Sequence, residues 1–249
     1  MGTRQAIAVP LGIGFMGPMV GRNQLREADG ETVPAATVRA TCEAGVMSDI
    51  WNLVHAERHA LVDDLSSLTD AQWQAPSLAE GWTVHDVAAH LVDNATATTW
   101  RLVKAMVKAR GNFHRQNDTG LRAAKGATPQ ATLERMRAVA ERTDTPPAPL
   151  ASRLVEEIAH GEDIRRPLGI VREYPVAAIV PAIGYQLRTP HAFDGTKSLA
   201  KRVRFVADDA DLAIGQGPEL RGPALELLMV ATRRAPREGA LSGPGRALI

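Results

Sequence analysis

Residues 153–169 read RLVEEIAHGEDIRRPLG, and the architecture turns on how this stretch is wound. Leu154, Val155, Ile158 and Ala159 recur at the helical period and Gly169 stands where a helix stops, so the stretch predicts a helix over residues 150–168. Glu156 and His160 are four residues apart, which stacks them on one face at the shoulder of the apolar stripe. Two readings follow. A solvated i, i+4 pair is common on helix surfaces and contributes little; the same pair turned inward offers two ligands to one metal ion. The spacing taken alone favours the surface pair. Asp163, one turn beyond His160, is a carboxylate placed to orient an imidazole.

Outward from this stretch, other segments carry the same period. Ile50, Leu53, Val54, Leu61 and Leu65 predict a helix from Ser48 to about Leu68, capped by Ser48 or Asp49. TDAQWQAPSLAEGW, residues 69–82, is broken by Pro76 and Gly81 and reads as a loop with two tryptophans. Thr83-x-x-Asp86 resembles a capping box and opens a long helix to about Ala109, with Val84, Val87, Ala88, Leu91, Ala95, Leu102 and Met106 on one stripe. The polar stretch GNFHRQNDTG then leads to a helix from Thr128-Pro129 to about Thr143. DTPPAP is a rigid connector, and residues 175–188 form a further helical segment perturbed by Pro181 and Gly184.

Beyond about residue 195 the texture changes. KRVRFVAD and ADLAIG are short and β-branched, with one apolar helix, ALELLMVATRR, beside them. The expected organisation is an unstructured extension over 1–46, a helical bundle over 47–192 and a small α+β unit over 193–249. The N-terminal apolar run is interrupted by Pro10, Gly12, Gly14, Gly17 and Pro18, which fits neither a signal peptide nor a membrane span, and Met47 is the candidate natural start.

Composition agrees with packed helices. Hydrophobic residues make up 45% and aromatics 4%, so the core is expected to be aliphatic, not that of an aromatic-rich β-sandwich. Lys and Arg total 29 against 28 Asp and Glu without a basic stripe, which gives no footprint for nucleic acid. The single cysteine, Cys42, excludes an internal disulfide framework and any multi-cysteine zinc site, and fits a reducing cytoplasm.

A mononuclear site built on Glu156 and His160 needs a third ligand. His90 offers one from the shoulder of the long helix, since bundles build metal sites from side chains projected inward by facing helices; a satisfied, partly buried histidine is the plainer reading. His55 and His59 also stand four apart, on a face expected in solvent. Glu57 falls in the apolar stripe of its helix, where a charge needs a partner, such as a ligand or a loop indole, unless its stem carries it outward. His85, His114 and His191 have no spacing partner and default to surface or loop roles. Asp86, one turn before His90, is a second carboxylate placed to orient an imidazole.

WQAPSLAEGWTVHDVAAHL, followed some way on by EEIAHGEDIRRPLG, resembles the mycothiol-dependent maleylpyruvate isomerase family within the DinB-like metal-binding superfamily, over roughly residues 48 to 190. The resemblance implies a mainly α fold: a DinB-like up-and-down four-helix bundle with a small C-terminal α+β domain. It implies metal ligands His90, Glu156 and His160, holding Zn2+ or another divalent ion, and mycothiol as the thiol cofactor. The function implied is an isomerase or S-transferase acting on a small electrophile, in a cytoplasmic monomer or homodimer with no nucleic-acid or membrane partner; a non-catalytic DinB-like ligand or thiol sensor is the alternative. GPELRGPALELLMVATRR matches the approach to the family's C-terminal helix, where Arg233 or Arg234 stands at the arginine position; Arg233 is taken as the substrate-carboxylate anchor. Gly243-Pro244-Gly245 replaces the usual Gly-Asp-Gly turn, and Ala79 stands at a loop position often filled by cysteine.

Overall fold

The computed structural model describes residues 35–108 and 113–249, with side chains from Asp49 onward except at 113–115. Ten helices appear among these residues: α1 (Ala35–Ser66), α2 (Asp70–Trp73), α3 (Val84–Ala95), α4 (Thr99–Lys108), α5 (Phe113–Ala124), α6 (Pro129–Val139), α7 (Ala151–Arg165), α8 (Val176–Arg188), α9 (Lys197–Ala200) and α10 (Ala224–Ala231). Helices α1, α7, α3 and α6 close a ring in which each packs on two others, which is the four-helix bundle. With the small sheet unit behind it, this is the DinB-like helical fold that the resemblance implies.

Inside the bundle Leu61, Leu65, Val84, Val87, Leu91, Leu133, Met136 and Ile164 meet in one aliphatic cluster, sealed at one end by Trp73. Leu61 and Leu65 from the apolar period read in α1, and Val84, Val87, Ala88 and Leu91 from that read in α3, face this core. Thr83 and Asp86 form the expected capping box, each side chain accepting from the other's backbone N–H. Thr128 caps α6, accepting from Ala131 with Pro129 at the first helical position.

Four expectations about elements differ. The first helix begins at Ala35, not near Ser48, so the expected unstructured 1–46 segment is helical from residue 35; residues 1–34 lie outside the described residues. The tryptophan loop contains the short helix α2, started by a capping box between Thr69 and Gln72. The single long helix from Thr83 to Ala109 is broken between α3 and α4, where Thr98 accepts from Arg101 N and restarts the chain. The polar stretch GNFHRQNDTG is helical from Phe113 as α5, packed on α3. Its composition carries little periodicity because the packing face is made of Gln116, Asn117 and Leu121. Gly120 permits the close approach: a Cβ there would lie 2.1 Å from Asp93 Oδ2 on α3.

The C-terminal unit carries strands β1 (Arg204–Ala207), β2 (Ala213–Gly215) and β3 (Glu219–Gly222) in the order β2-β1-β3. β1 is antiparallel to β2 and parallel to β3. The runs KRVRFVAD and ADLAIG supply the first two strands as expected; β3, within GPELRGP, was not foreseen because Pro218 and Pro223 flank it closely. One hydrophobic cluster runs through Val54, Val155, Ile158, Ile183, Phe205, Leu220 and Leu227, so the sheet and α10 share a core with α7 and α8 across the expected boundary at 192/193.

Candidate metal centre

The surface-pair reading of the opening stretch fails on burial. Every residue of α7 from Ser152 to Arg165 is buried, because α1 and α3 cover one side and α8 the other. Glu156 and His160 are each 1% exposed. A helix carrying this many charges can be buried only if they are matched. Glu157 accepts from Arg58 Nε at 2.7 Å. Glu162 accepts from Arg166 and from the Tyr174 hydroxyl. Arg165 donates to Asp64 at 2.6 Å and also to Glu57.

Glu156 and His160 of α7, with His90 of α3, are left without such a match. Their ligand atoms lie within 4.8 Å of one another, with Glu156 Oε2 standing 3.6 Å from His90 Nε2 and 3.6 Å from His160 Nε2. These separations are too long for hydrogen bonds. All three atoms are buried and find no partner among the described residues. Ligands about 2.0–2.1 Å from a tetrahedral ion stand about 3.4 Å apart, so the spacing suits a metal where it does not suit direct contact. The residues present therefore fit a divalent ion.

What holds the imidazoles is asymmetric. His160 Nδ1 stands 2.9 Å from Asp163 Oδ2, and Arg234 grips the same carboxylate with Nε at 2.6 Å and Nη2 at 2.5 Å. A carboxylate already gripped by a guanidinium is ionised and only accepts, so His160 carries its proton on Nδ1 and presents the Nε2 lone pair. Arg234 Nη2 stands farther off Nδ1, at 3.4 Å. Burial alone would raise the Asp163 carboxyl, but the Arg234 guanidinium and the His160 hydrogen bond outweigh it and hold the group well below the carboxylate range. Burial pushes the His160 imidazole down, with Asp163 opposing, which favours the neutral form that a metal ligand needs. Glu156 is raised by burial and lowered more by His90, His160 and Arg153, so it is ionised. Among the described residues His90 has no such orienting partner at Nδ1. Instead Trp82 covers both rings, its centroid 5.2 Å from His90 and 6.4 Å from His160. The loop bearing Trp82 is fastened to α7 by Leu78 N donating to Asp163 O at 3.0 Å.

The other sequence candidates fall elsewhere. Asp86 does not support His90; it caps α3 and pairs with Lys125 at 2.7 Å. Glu57, buried as its stripe position demands, is paired to Arg165 and to Arg172 and touches neither a ligand nor an indole. His55 and His59 both meet Glu141. His85 is not a surface residue: it is buried with Nε2 2.6 Å from Thr132 Oγ1. His191 is exposed in a short turn, and the side chain of His114 lies outside the described residues. Arg233 does not reach the triad's supporting carboxylate. It has φ 62, and its guanidinium engages Asp194 and the Gly195 carbonyl. That left-handed residue ends α10 and lets Arg234 N bond back to Met229 O at 2.7 Å, which turns Arg234, not Arg233, onto Asp163. Trp82 and Arg234 were the parts of the site that sequence reasoning left without a role; the Arg233-Arg234 ambiguity was the available signal for the second.

Residues 54–154 match the model of the mycothiol maleylpyruvate isomerase N-terminal domain. His90 lies within the match and Glu156 and His160 just beyond it. No curated protein matches the chain. Two solved structures are similar in fold: a mycothiol-dependent maleylpyruvate isomerase, at a TM-score of 0.56 and 15% identity over 80% of this chain and 92% of that one, and a histidine-to-alanine mutant of such an isomerase, at 0.57 with the same identity and coverage. At that identity the likeness speaks for the fold. Residues 54–154 are thus similar to the mycothiol maleylpyruvate isomerase N-terminal domain, and the chain shares the fold of the mycothiol-dependent isomerases.

Proposed function

We propose that the chain is a divalent-metal protein that works with mycothiol on a small electrophile, as an isomerase or an S-transferase, with His90, Glu156 and His160 as the ligands. One observation carries the reading: three buried atoms without hydrogen-bond partners converge, and one ion would satisfy them all. Two imidazoles and a carboxylate suit zinc. Among the described residues no fourth His, Cys, Asp or Glu joins the group, as expected of a site that keeps a position for a ligand. Once bound, a divalent ion supplies a Lewis acid that lowers the pKa of a thiol held at that position. The chain's own residues do the rest. Glu156 contributes the one ligand charge, Asp163 fixes the tautomer of His160, and Trp82 keeps water from the rings. Mycothiol enters from the matched family, whose name carries it. A nucleophilic cysteine is not needed in such a scheme, and a reducing cytoplasm is the matching location. Among the described residues no helix is long and apolar enough to cross a membrane.

The enclosure of the triad, with each ligand residue no more than 4% exposed, favours one second reading, a metal-bound ligand or thiol sensor. Elemental analysis of purified protein should find about one divalent ion per chain, lost in His90→Ala, Glu156→Ala and His160→Ala; retention of metal in all three variants would remove the site. In cobalt-substituted protein, mycothiol should produce a sulfur-to-metal charge-transfer band, and silence with every thiol tried would remove thiol dependence. Turnover of an epoxide, haloalkane or maleylpyruvate then separates enzyme from sensor.

A further inference from the structure

A cleft of about 420 Å3 opens where the end of α8 meets α9 and the end of β2. Leu187 and Ala200 lie at its floor, and Arg188, Lys197, Lys201 and Gln216 stand around it. None of these residues belongs to the triad or to its supports. The volume falls within the range of small-molecule sites, about 300–1,000 Å3. Backbone bonds fix the walls. Lys197 N donates to Thr189 O at 3.1 Å, tying the start of α9 to the end of α8, and Gln216 N donates to Ala200 O at 2.9 Å, tying β2 to α9. Gly215, at φ 105, permits that second approach, since a Cβ there would lie 2.2 Å from Val203 O and 2.8 Å from Ala200 O. Gly184 leaves room for the Arg188 guanidinium to lie along α8; a Cβ at that position would stand 2.8 Å from Nη1.

Arg188, Lys197 and Lys201 are exposed, and among the described residues none of them forms an ion pair. Exposed cations elsewhere on the same unit are matched: Arg221 meets Glu219 and Asp208, each at 3.1 Å. The shortage of acid is local. The chain as a whole carries 29 Lys and Arg against 28 Asp and Glu, yet residues 188–204 hold five Lys and Arg and one acid, Asp194, which Arg233 takes. Because the three cations come from separate elements, no stripe in the sequence marks them. Facing one rigid hollow, they repel one another and focus positive potential in it. An anion held there relieves that repulsion. Lysine ammoniums are point charges with rotatable donors and no preferred plane, so two of them with one guanidinium suit a tetrahedral anion whose oxygens face several ways.

We infer that the cleft between α8, α9 and β2 is a second binding site, in which Arg188, Lys197 and Lys201 hold the phosphate group of a small organic phosphate. The site is separate from the metal centre and does not depend on how the triad is read. The cleft is larger than a bare ion needs, so the organic part of the molecule has room beside the phosphate, over Leu187 and Ala200. A phosphate monoester carries about 1.5 to 2 negative charges at neutral pH, which three cations balance better than they balance a single charge.

Titration of the isotope-labelled, metal-containing full chain with phenyl phosphate, followed by amide resonances, tests this, with benzenesulfonate and phenol as controls. Phenyl phosphate should shift the amides of Ala200, Gly215 and Gln216 and bind more tightly than the singly charged benzenesulfonate, while phenol leaves them in place. The double variant Lys197→Gln, Lys201→Gln should weaken phenyl phosphate binding by at least about fivefold with metal content unchanged. Lys197→Arg with Lys201→Arg keeps both charges and should keep most of the binding, which separates the role of charge from any effect on folding. Three results would overturn the inference: no shift at the cleft, equal affinity in wild type and the glutamine variant, or equal affinity for phosphate and sulfonate. Shifts confined to Trp82 and the triad would place the anion at the metal centre and also overturn it. Failure of the metal-site reading shows separately, as unchanged metal content in the His90, Glu156 and His160 variants.

Discussion

Asp163 joins three parts of the molecule at one residue. It orients His160, anchors Arg234 just beyond the end of α10 and, through its backbone carbonyl, holds the loop that carries Trp82. Replacing it by Asn keeps the shape but loses the charge that Arg234 and the Nδ1 proton require. Loss of such a partner behind a ligating histidine lowers metal affinity by about 10–100-fold, and competition with a chromophoric chelator should find a drop of that size in Asp163→Asn. An unchanged affinity would mean that packing alone orients the ring. His85 permits a pH test away from the triad. Its imidazole is pushed down chiefly by burial and further by the Lys125 cation, with Asp86 opposing. The folded state thus binds this proton less readily than the unfolded chain, whose histidine titrates near about 6.5. The resulting contribution to stability is complete above that pH and is lost as the pH falls through the lower folded value. Chemical denaturation from pH 7.5 to 5 should show this slope in wild type and a shallower one in His85→Gln.

At the scale of elements, the site depends on how two helices are started and stopped. α3 delivers His90 from a helix fixed at its first turn by the Thr83-Asp86 capping box, and α10 delivers Arg234 through the left-handed turn at Arg233. Thr83→Ala removes one cap at a cost of about 1 kcal/mol, which should lower the melting temperature by a few degrees with metal content kept. Loss of metal in that variant would show that the cap sets the position of His90 and not only the stability of α3.

Over the whole molecule, the C-terminal unit is built into the bundle. Arg166, at the C-terminal cap of α7, donates to both oxygens of the buried Glu226 on α10, which also accepts from Arg237 N. Removing one partner of such a buried pair costs about 3–5 kcal/mol because it strands the other. Glu226→Leu should therefore destabilise strongly, and since one apolar cluster spans α7, α8, β1 and α10, unfolding should remain a single transition. Two resolved transitions in that variant would mean that the two parts fold independently.

The sequence by itself determined the helical class and most bundle helices, because 3.6-residue apolar periods and capping residues are local signals; the four-residue Glu156-His160 spacing alone favoured a surface pair, and only the family resemblance put His90, Glu156 and His160 together. It also marked Glu57 as a charge needing a partner, though not which one. It left undetermined the break after Ala95, the helix over Phe113–Ala124 and the role of α7 as a helix buried all round. Those depend on neighbours: Gly120 against Asp93, and carboxylates and arginines drawn together from positions about a hundred residues apart, as in Arg165 with Glu57 and Asp64. Whether Glu156 and His160 faced water or each other was decided only by tertiary packing, since a helix with charges on every side reads as exposed until the partners that match those charges are in place.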